Sequence, residues 1–369
     1  MNYHITSAHC GTDIKSTVSE AVVAFNDPKL ILFCSPVDHF SEYAREIANR
    51  FPNSVSMGMT TLMSISKNGA QKNDLLCLGI EDGISCAADV LEEIDKYPIK
   101  YSGRVSKCLK KIGNNRNTMC LEFTTGLLCA EESVLSTLNS VLLPRNIPVF
   151  GGSAGNNMSG NVTKVALNGI VRERSAVFCL IHSDGGGFKF YKENIFKPVE
   201  GVPDLIATKV DIKTRHVKEY NHMPAAQAYA NVLGVAENVI STYMPNHPMG
   251  RVTGNEIFIS ADNYVSPERG IVYHSRIYSN TRMKLLEMDD YRRVNEETFK
   301  KIKRDVTEPK LAFLTHCLGR TALFNNEGYM QEYARLLGSA VGNFFGYAGY
   351  GEQLKRYNFN MTACVVVFE

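Results

Sequence analysis

Apolar and polar positions along this chain switch between two periods, and the switch recurs three times. Leu30-Ile31-Leu32-Phe33-Cys34 is a continuous apolar run of buried-strand type, stopped by Ser35-Pro36. Phe40, Tyr43, Ala44, Ile47, Ala48 and Phe51 follow at helical spacing and predict one amphipathic helix, ended by the segment that contains Pro52. Val55-Ser56-Met57-Gly58 then predicts a returning strand. The second copy opens with Met119-Cys120-Leu121-Glu122-Phe123, carries its helical stripe on Val134, Leu135, Leu138, Val141 and Leu142, and returns through Ile147-Pro148-Val149-Phe150 into Gly151-Gly152-Ser153-Ala154-Gly155. The third opens with Leu311-Ala312-Phe313-Leu314-Thr315 and turns at 316–320. Met330, Tyr333, Ala334, Leu337 and Val341 mark its helix, and it returns through Asn343-Phe344-Phe345 into Gly346-Tyr347-Ala348-Gly349-Tyr350-Gly351-Glu352.

A strand followed by a helix and a second strand makes a parallel pair through a right-handed crossover. The polar turns after the three opening strands are therefore expected on one edge of their sheets, where open α/β sheets hold ligands. Glycines behind each return strand allow backbone to approach closely. Between the copies the pattern predicts antiparallel strands. One is 163–167, which leads into the hairpin signal Asn168-Gly169 with 175–181 as the answering strand, and another closes the chain at 361–368. The expected class is α/β (α+β): repeated strand-helix-strand units in mixed sheets with helices on the sheet faces, in two associated domains. The boundary is placed near residue 220, ahead of a helix opened by His222-Met223-Pro224-Ala225 and a proline-rich stretch at 243–250. The charged segment 289–303 reads as the solvated face of a helix.

Composition narrows the function. A length of 369 residues suits two domains, and 44% hydrophobic with 21% charged residues excludes a disordered chain. Forty Lys and Arg against 38 Asp and Glu give a net charge of +2, no footprint for nucleic acid or an anionic membrane. The chain has no apolar run long enough to span a bilayer and no secretory signal in Met1-Asn2-Tyr3-His4-Ile5-Thr6-Ser7, so a soluble, cytoplasmic protein is expected. Ten cysteines without Cys-x-x-Cys spacing read as reduced, mostly buried thiols.

Gly151-Gly152-Ser153-Ala154-Gly155, followed by Asn156, is not a phosphate loop, because no Gly-Lys-Ser/Thr follows and no helix opens there. It reads as a tight turn, or as a set of backbone amides for a small ligand. Cys317 and Arg320 sit where a buried strand ends before a helix. A thiol there can be acidified, and the guanidinium fork suits a carboxylate. On an extended strand His316 points to the face opposite Cys317. Arg320 and Glu352 either hold the two ends of an amino acid or pair with one another, and Tyr347 and Tyr350 either wall such a pocket or pack. The nine histidines form no metal motif, so no metal site is expected.

Together these segments resemble the FIST family. The amino-terminal resemblance rests on 30–36, 149–155, Asn168-Gly169 and the stretch Pro224-Ala225 to Tyr229. The carboxy-terminal one rests on His247-Pro248-Met249-Gly250, Cys317-Leu318-Gly319-Arg320, 346–352 and Asn360-Met361-Thr362. The resemblance implies a FIST-N-like domain over 1–220 and a FIST-C-like domain over 221–369. It further implies an intracellular sensory protein that binds an amino acid or similar metabolite and has no catalytic activity. The ligand-binding residues would be Gly151, Gly152, Ser153, Gly155, Asn156, Cys317, Arg320, Tyr347, Tyr350 and Glu352. Where family members often read Gly-x-Ser/Thr-x-Gly-Glu after the first return strand, this chain has Met57-Gly58-Met59-Thr60-Thr61-Leu62-Met63. Both halves use up the chain, so output is expected through a separate partner such as a chemotaxis receptor, a histidine kinase or a cyclic-di-GMP enzyme. The other readings are a haem-based nitric oxide sensor, an enzyme with Cys317 as nucleophile, and an interaction scaffold with a degenerate pocket.

Overall fold

The computed structural model describes residues 1–113, 116–158, 160–254 and 256–369. The chain forms two compact units that are discontinuous in sequence. The larger comprises 1–192, 297–358 and 363–369, and the smaller 193–296 with 359–362.

The larger unit holds three six-stranded sheets built by one rule. In the first sheet the opening strand Leu30–Ser35 leads through the helix Phe40–Arg50 to the parallel return strand Val55–Thr60. In the second, Thr118–Thr124, the helix Glu131–Leu142 and Val149–Ser153 do the same. In the third, Leu311–Cys317 leads through two helices, Leu318–Asn326 and Met330–Val341, to Phe344–Gly349. The three predicted strand-helix-strand units are therefore present, each with its apolar stripe buried. The extra helix before Met330 has no clear apolar period in the sequence.

Short hairpins behind the return strands link the sheets. After each return strand the chain leaves its own sheet and lays one such hairpin antiparallel on the return strand of another. The hairpin Ser64–Ser66 and Gly69–Gln71 of the first repeat joins the third sheet. Val165–Leu167 and Ile170–Arg172 of the second repeat join the first sheet. Gly351–Leu354 and Tyr357–Phe359 of the third join the second. Each repeat then returns to its own sheet with a strand antiparallel to the opening one: Asp74–Ile80, Ser175–Ser183 and Thr362–Phe368. All three sheets have the same strand order, each completed by an outer strand: Tyr3–His9, Ile84–Glu92 and Phe188–Asn194.

This exchange corrects one expectation. Asn168 and Gly169 do make a hairpin turn, both with positive φ (49° and 77°), but the answering strand is Ile170–Arg172. The longer strand Ser175–Ser183 instead lies between the second sheet's opening and outer strands, and its continuous burial reflects that central place.

The smaller unit enters the chain between the outer strand of the third repeat and the helix Tyr291–Asp305. It is a nine-stranded sheet, antiparallel in the pairings between its strands, with the helix Ala225–Leu233 packed on its own apolar core.

Candidate functional site

The ends of the three return strands meet through three equivalent backbone bonds. The Gly155 amide donates to the Thr60 carbonyl at 2.8 Å, the Leu62 amide to Ala348 at 3.3 Å, and the Tyr350 amide to Ser153 at 3.2 Å. The segments behind the three return strands, two of them glycine-rich, are thus brought together within the larger unit. This closure has a consequence for recognition. The amides of Ala154, Gly155, Ala348 and Tyr350 are all spent on bonds inside the protein, so none of these four is free to donate to a ligand.

The same closure sets three glycines in equivalent rows. Gly58 lies between Phe33 and Ala166, Gly346 between Leu314 and Ile65, and Gly151 between Glu122 and Gln353, each row running across three neighbouring strands. A Cβ on Gly58 would lie 2.2 Å from the Phe33 ring, and one on Gly151 would lie 2.0 Å from the Glu122 carbonyl oxygen. Close approach therefore demands glycine in the row. Two rows are apolar, and the third carries a carboxyl and an amide.

Glu122 and Gln353 are both buried. The Thr124 hydroxyl donates to Glu122 Oε2, while Oε1 has no hydrogen-bond partner. Gln353 Nε2 donates to Ser153 Oγ at 3.2 Å and to Asn358 Oδ1 at 2.7 Å, and its Oε1 is without a partner too. Ser153 Oγ in turn lies 3.3 Å from Oε1 of Glu131, from the first turn of the second helix. Burial pushes the Glu122 carboxyl up to about 8, opposed by the Thr124 hydrogen bond and reinforced by the Glu131 charge. At neutral pH it holds a proton.

On the opposite face of the second sheet, Phe123, Gly152 and Glu352 form the next row. A Cβ on Gly152 would lie 2.5 Å from Thr315 Oγ1 and 2.7 Å from the Tyr347 hydroxyl, so both hydroxyls reach over this glycine. Tyr347 is buried, packs edge-on against Phe123 at 5.4 Å, and has its phenol pKa raised by burial and by the charges of Glu122 and Glu352. Glu352 is fully buried.

The remaining expected residues divide between the rim and the third sheet. Tyr350 donates its hydroxyl to Asn156 Oδ1 at 2.8 Å, and Asn156 also bonds Met158 N and the carbonyls of Gly160 and Val162. Asn156 thereby pins the loop behind the second return strand. Cys317 ends the third opening strand in register with Gly349, nearly buried, at the N-terminus of the helix Leu318–Asn326. Arg320, on that helix, is fully buried with its guanidinium 4.9 Å from the Phe324 ring centroid and 5.5 Å from that of Tyr333.

His316, on the face opposite Cys317 as alternation requires, engages the Thr321 hydroxyl through Nδ1 at 2.7 Å. Its ring packs against both Phe324 and Tyr333, with centroids at 5.6 and 5.1 Å, and those two rings also touch one another at 5.5 Å. Burial and the Arg320 charge push its pKa well below the usual imidazole range. Among the described residues no three His, Cys, Asp or Glu side chains form a metal-binding group, and no helix is long and apolar enough to cross a membrane.

Glu122, Glu131 and Gln353 escaped the sequence reading. Glu122 had a visible signal, a carboxylate inside the apolar run Met119-Cys120-Leu121-Glu122-Phe123. Gln353 had none, because its importance comes from a hairpin laid on another repeat's sheet.

Comparison with known proteins gives two family matches. The FIST N domain matches residues 30–223 and the FIST C domain residues 225–355. No curated protein matches the chain. Among solved structures, that titled "Structure of PurLQS from Thermotoga maritima" aligns at 9% identity over 99% of this chain and 71% of the other, with a TM-score of 0.19, and that likeness carries no argument.

Proposed function

Because the chain belongs to the FIST family of signal-transduction sensory domains, we propose that it senses a small amino-acid-like metabolite where the three sheets of the larger unit meet. The observation that carries this reading is the polar row Glu122–Gly151–Gln353. Each buried polar atom left without a partner costs about 1–3 kcal/mol, and the two equivalent rows fill the same place with apolar side chains. Folding does not require the polar set.

The acceptor oxygens of Glu122, Glu131 and Gln353 suit a ligand with N–H donors, an ammonium above all. Tyr350 with Asn156 holds the rim, while Glu352 and Tyr347 lie on the opposite face of the second sheet and take no part in this row. The protein acts as a non-enzymatic cytoplasmic receptor that signals through a separate partner, such as a chemotaxis receptor, a histidine kinase or a cyclic-di-GMP enzyme. Signalling then requires the ligand to bind one conformation more tightly than another, since equal affinity for both shifts nothing.

Calorimetry with a panel of amino acids tests the reading. An ammonium ligand stabilises ionised Glu122, so binding at pH 7 releases a proton, and the measured heat changes with the ionisation enthalpy of the buffer. Glu122→Gln is expected to weaken binding about tenfold and to remove the buffer dependence. Gln353→Leu is expected to weaken binding as well, while circular dichroism confirms the fold. A silent panel, or unchanged affinity in both variants, rejects the site. Thiol labelling at neutral pH separates this receptor from a Cys317 enzyme: rapid, selective labelling of Cys317 would favour the enzyme.

A further inference from the structure

Glu122 and Glu131 stand where the first repeat places two phenyl rings. Phe33 lies in the first sheet's glycine row and Phe40 opens the following helix, and the two rings stack with centroids 5.6 Å apart. In the second repeat Glu122 takes the row position and Glu131 opens the helix. Both carboxyls are buried, at 0% and 4% exposure. Each is tethered by a hydroxyl: Thr124 donates to Glu122 Oε2, and Ser153 donates to Glu131 Oε1 at 3.3 Å. Thr124 and Ser153 are cross-strand neighbours, so the two carboxyls are anchored to adjacent positions on one face of the second sheet.

The side-chain hydrogens of this cluster are engaged within it. Thr124 and Ser153 turn theirs to the carboxyls, and Gln353 Nε2 directs its two to Ser153 Oγ and Asn358 Oδ1. What is left without a partner is oxygen, on Glu122 Oε1 and on Gln353 Oε1, with the uncharged amide nitrogen of Asn358 behind Gln353. Gln353 is 1% exposed, so its idle oxygen cannot turn to bulk water.

Building on the receptor reading above, we propose that the ligand is an amine without a carboxylate, a primary ammonium whose other polar group is uncharged, as in an amino alcohol or an amino-acid amide. Two neighbouring buried carboxylates repel one another, and a cation held between them removes that cost. An ammonium brings the charge together with three N–H donors, which match the oxygens of Glu122, Gln353 and Glu131. The Asn358 amide N–H suits a hydroxyl or a carbonyl on the ligand. A ligand carboxylate is served badly by the same set. It would rely on the proton of Glu122 and stand against the charge of Glu131, which makes Glu131 the repulsive element in the choice of ligand.

Calorimetry of the full chain at pH 7 with two matched series tests the proposal: alanine, alaninamide and ethylamine, then serine, serinamide and ethanolamine. The amides keep the size of the amino acid and remove its negative charge. Amides and amines are expected to bind at least about tenfold more tightly than the parent acids. Glu131→Gln should weaken the amines and narrow their advantage over the acids, because the repulsion of the carboxylate goes with the charge. The ligand comparison needs no variant, so it decides alone if Glu131→Gln does not fold. Parent acids that bind as tightly as their amides, or an undiminished preference in folded Glu131→Gln, overturn the proposal and leave the receptor reading standing. Silence across both series overturns the two together.

Discussion

The second and third sheets of the larger unit solve the same packing problem with opposite chemistry. In the third, Leu314, Gly346 and Ile65 fill a three-strand row with buried hydrocarbon. In the second, the equivalent places hold Glu122, Gly151 and Gln353, equally buried but with two oxygens lacking partners. Two strand positions further along both sheets are polar, with Thr124 in the second and His316 in the third, both buried. A fold built three times in one chain supplies its own control. What all three copies share is needed for folding, and what one copy has alone is free to serve another purpose.

Breaking the shared element should cost most. Gly151→Ala places a methyl against the Glu122 backbone, which cannot rotate away, and is expected to destabilise by about 3 kcal/mol or more. Gly58→Ala meets the Phe33 ring, a side chain that can shift, and should cost less. Gly346→Ala has its nearest atom at 2.9 Å and should cost least of the three. Urea melts of the three variants order them; equal losses would show that the rows are not equivalent.

Converting the polar row into the apolar one sharpens the comparison. The double variant Glu122→Leu with Gln353→Ile copies the third sheet's pattern and should gain about 2 kcal/mol at pH 8 while losing ligand binding. The pH matters because the folded-state pKa of Glu122 is raised to about 8 from 4.5. Between those values the unfolded chain has lost its proton while the native protein keeps it, so stability falls as pH rises through this window and levels off above it. The double variant should lack this fall, and melts at pH 5 and pH 9 would reveal it.

His316 supplies the opposite slope. Its folded pKa is depressed, so below about 6.5 the unfolded chain binds a proton that the native protein refuses. Stability therefore declines as pH falls below that value. His316→Phe should flatten this acid limb and leave the alkaline limb untouched. A variant that altered both limbs would mean that the two sheets titrate as one system.

Much of this was legible in the chain. The three opening strands, their helical stripes and the glycines behind each return strand follow from local periodicity, because each repeat buries its own stripe on its own sheet. The hairpin exchange was not legible. The hairpins 64–71, 165–172 and 351–359 carry turn signals but no mark of which strand will receive them. The 175–183 strand was accordingly given the wrong partner. Gly151, Gly152, Ser153 and Tyr350 could be singled out from the sequence because glycine-rich turns announce themselves. Gln353 was missed because its neighbours on the second sheet are roughly two hundred residues distant in sequence.

The smallest expected effect concerns the rim, where the three closures differ in one side chain. Leu62, Gly155 and Tyr350 occupy equivalent places, and Tyr350 alone adds a side-chain bond, to Asn156 Oδ1. Tyr350→Phe keeps the ring and the backbone closure and removes that single neutral bond, so a loss of about 1 kcal/mol is expected. Asn156→Ala should cost more, because the same amide also holds Met158, Gly160 and Val162. The double variant should then match Asn156→Ala alone, since the Tyr350 bond has already gone. Losses that simply add would show that Tyr350 acts through packing, and the rim would lose its one feature that sets the second and third repeats apart from the first.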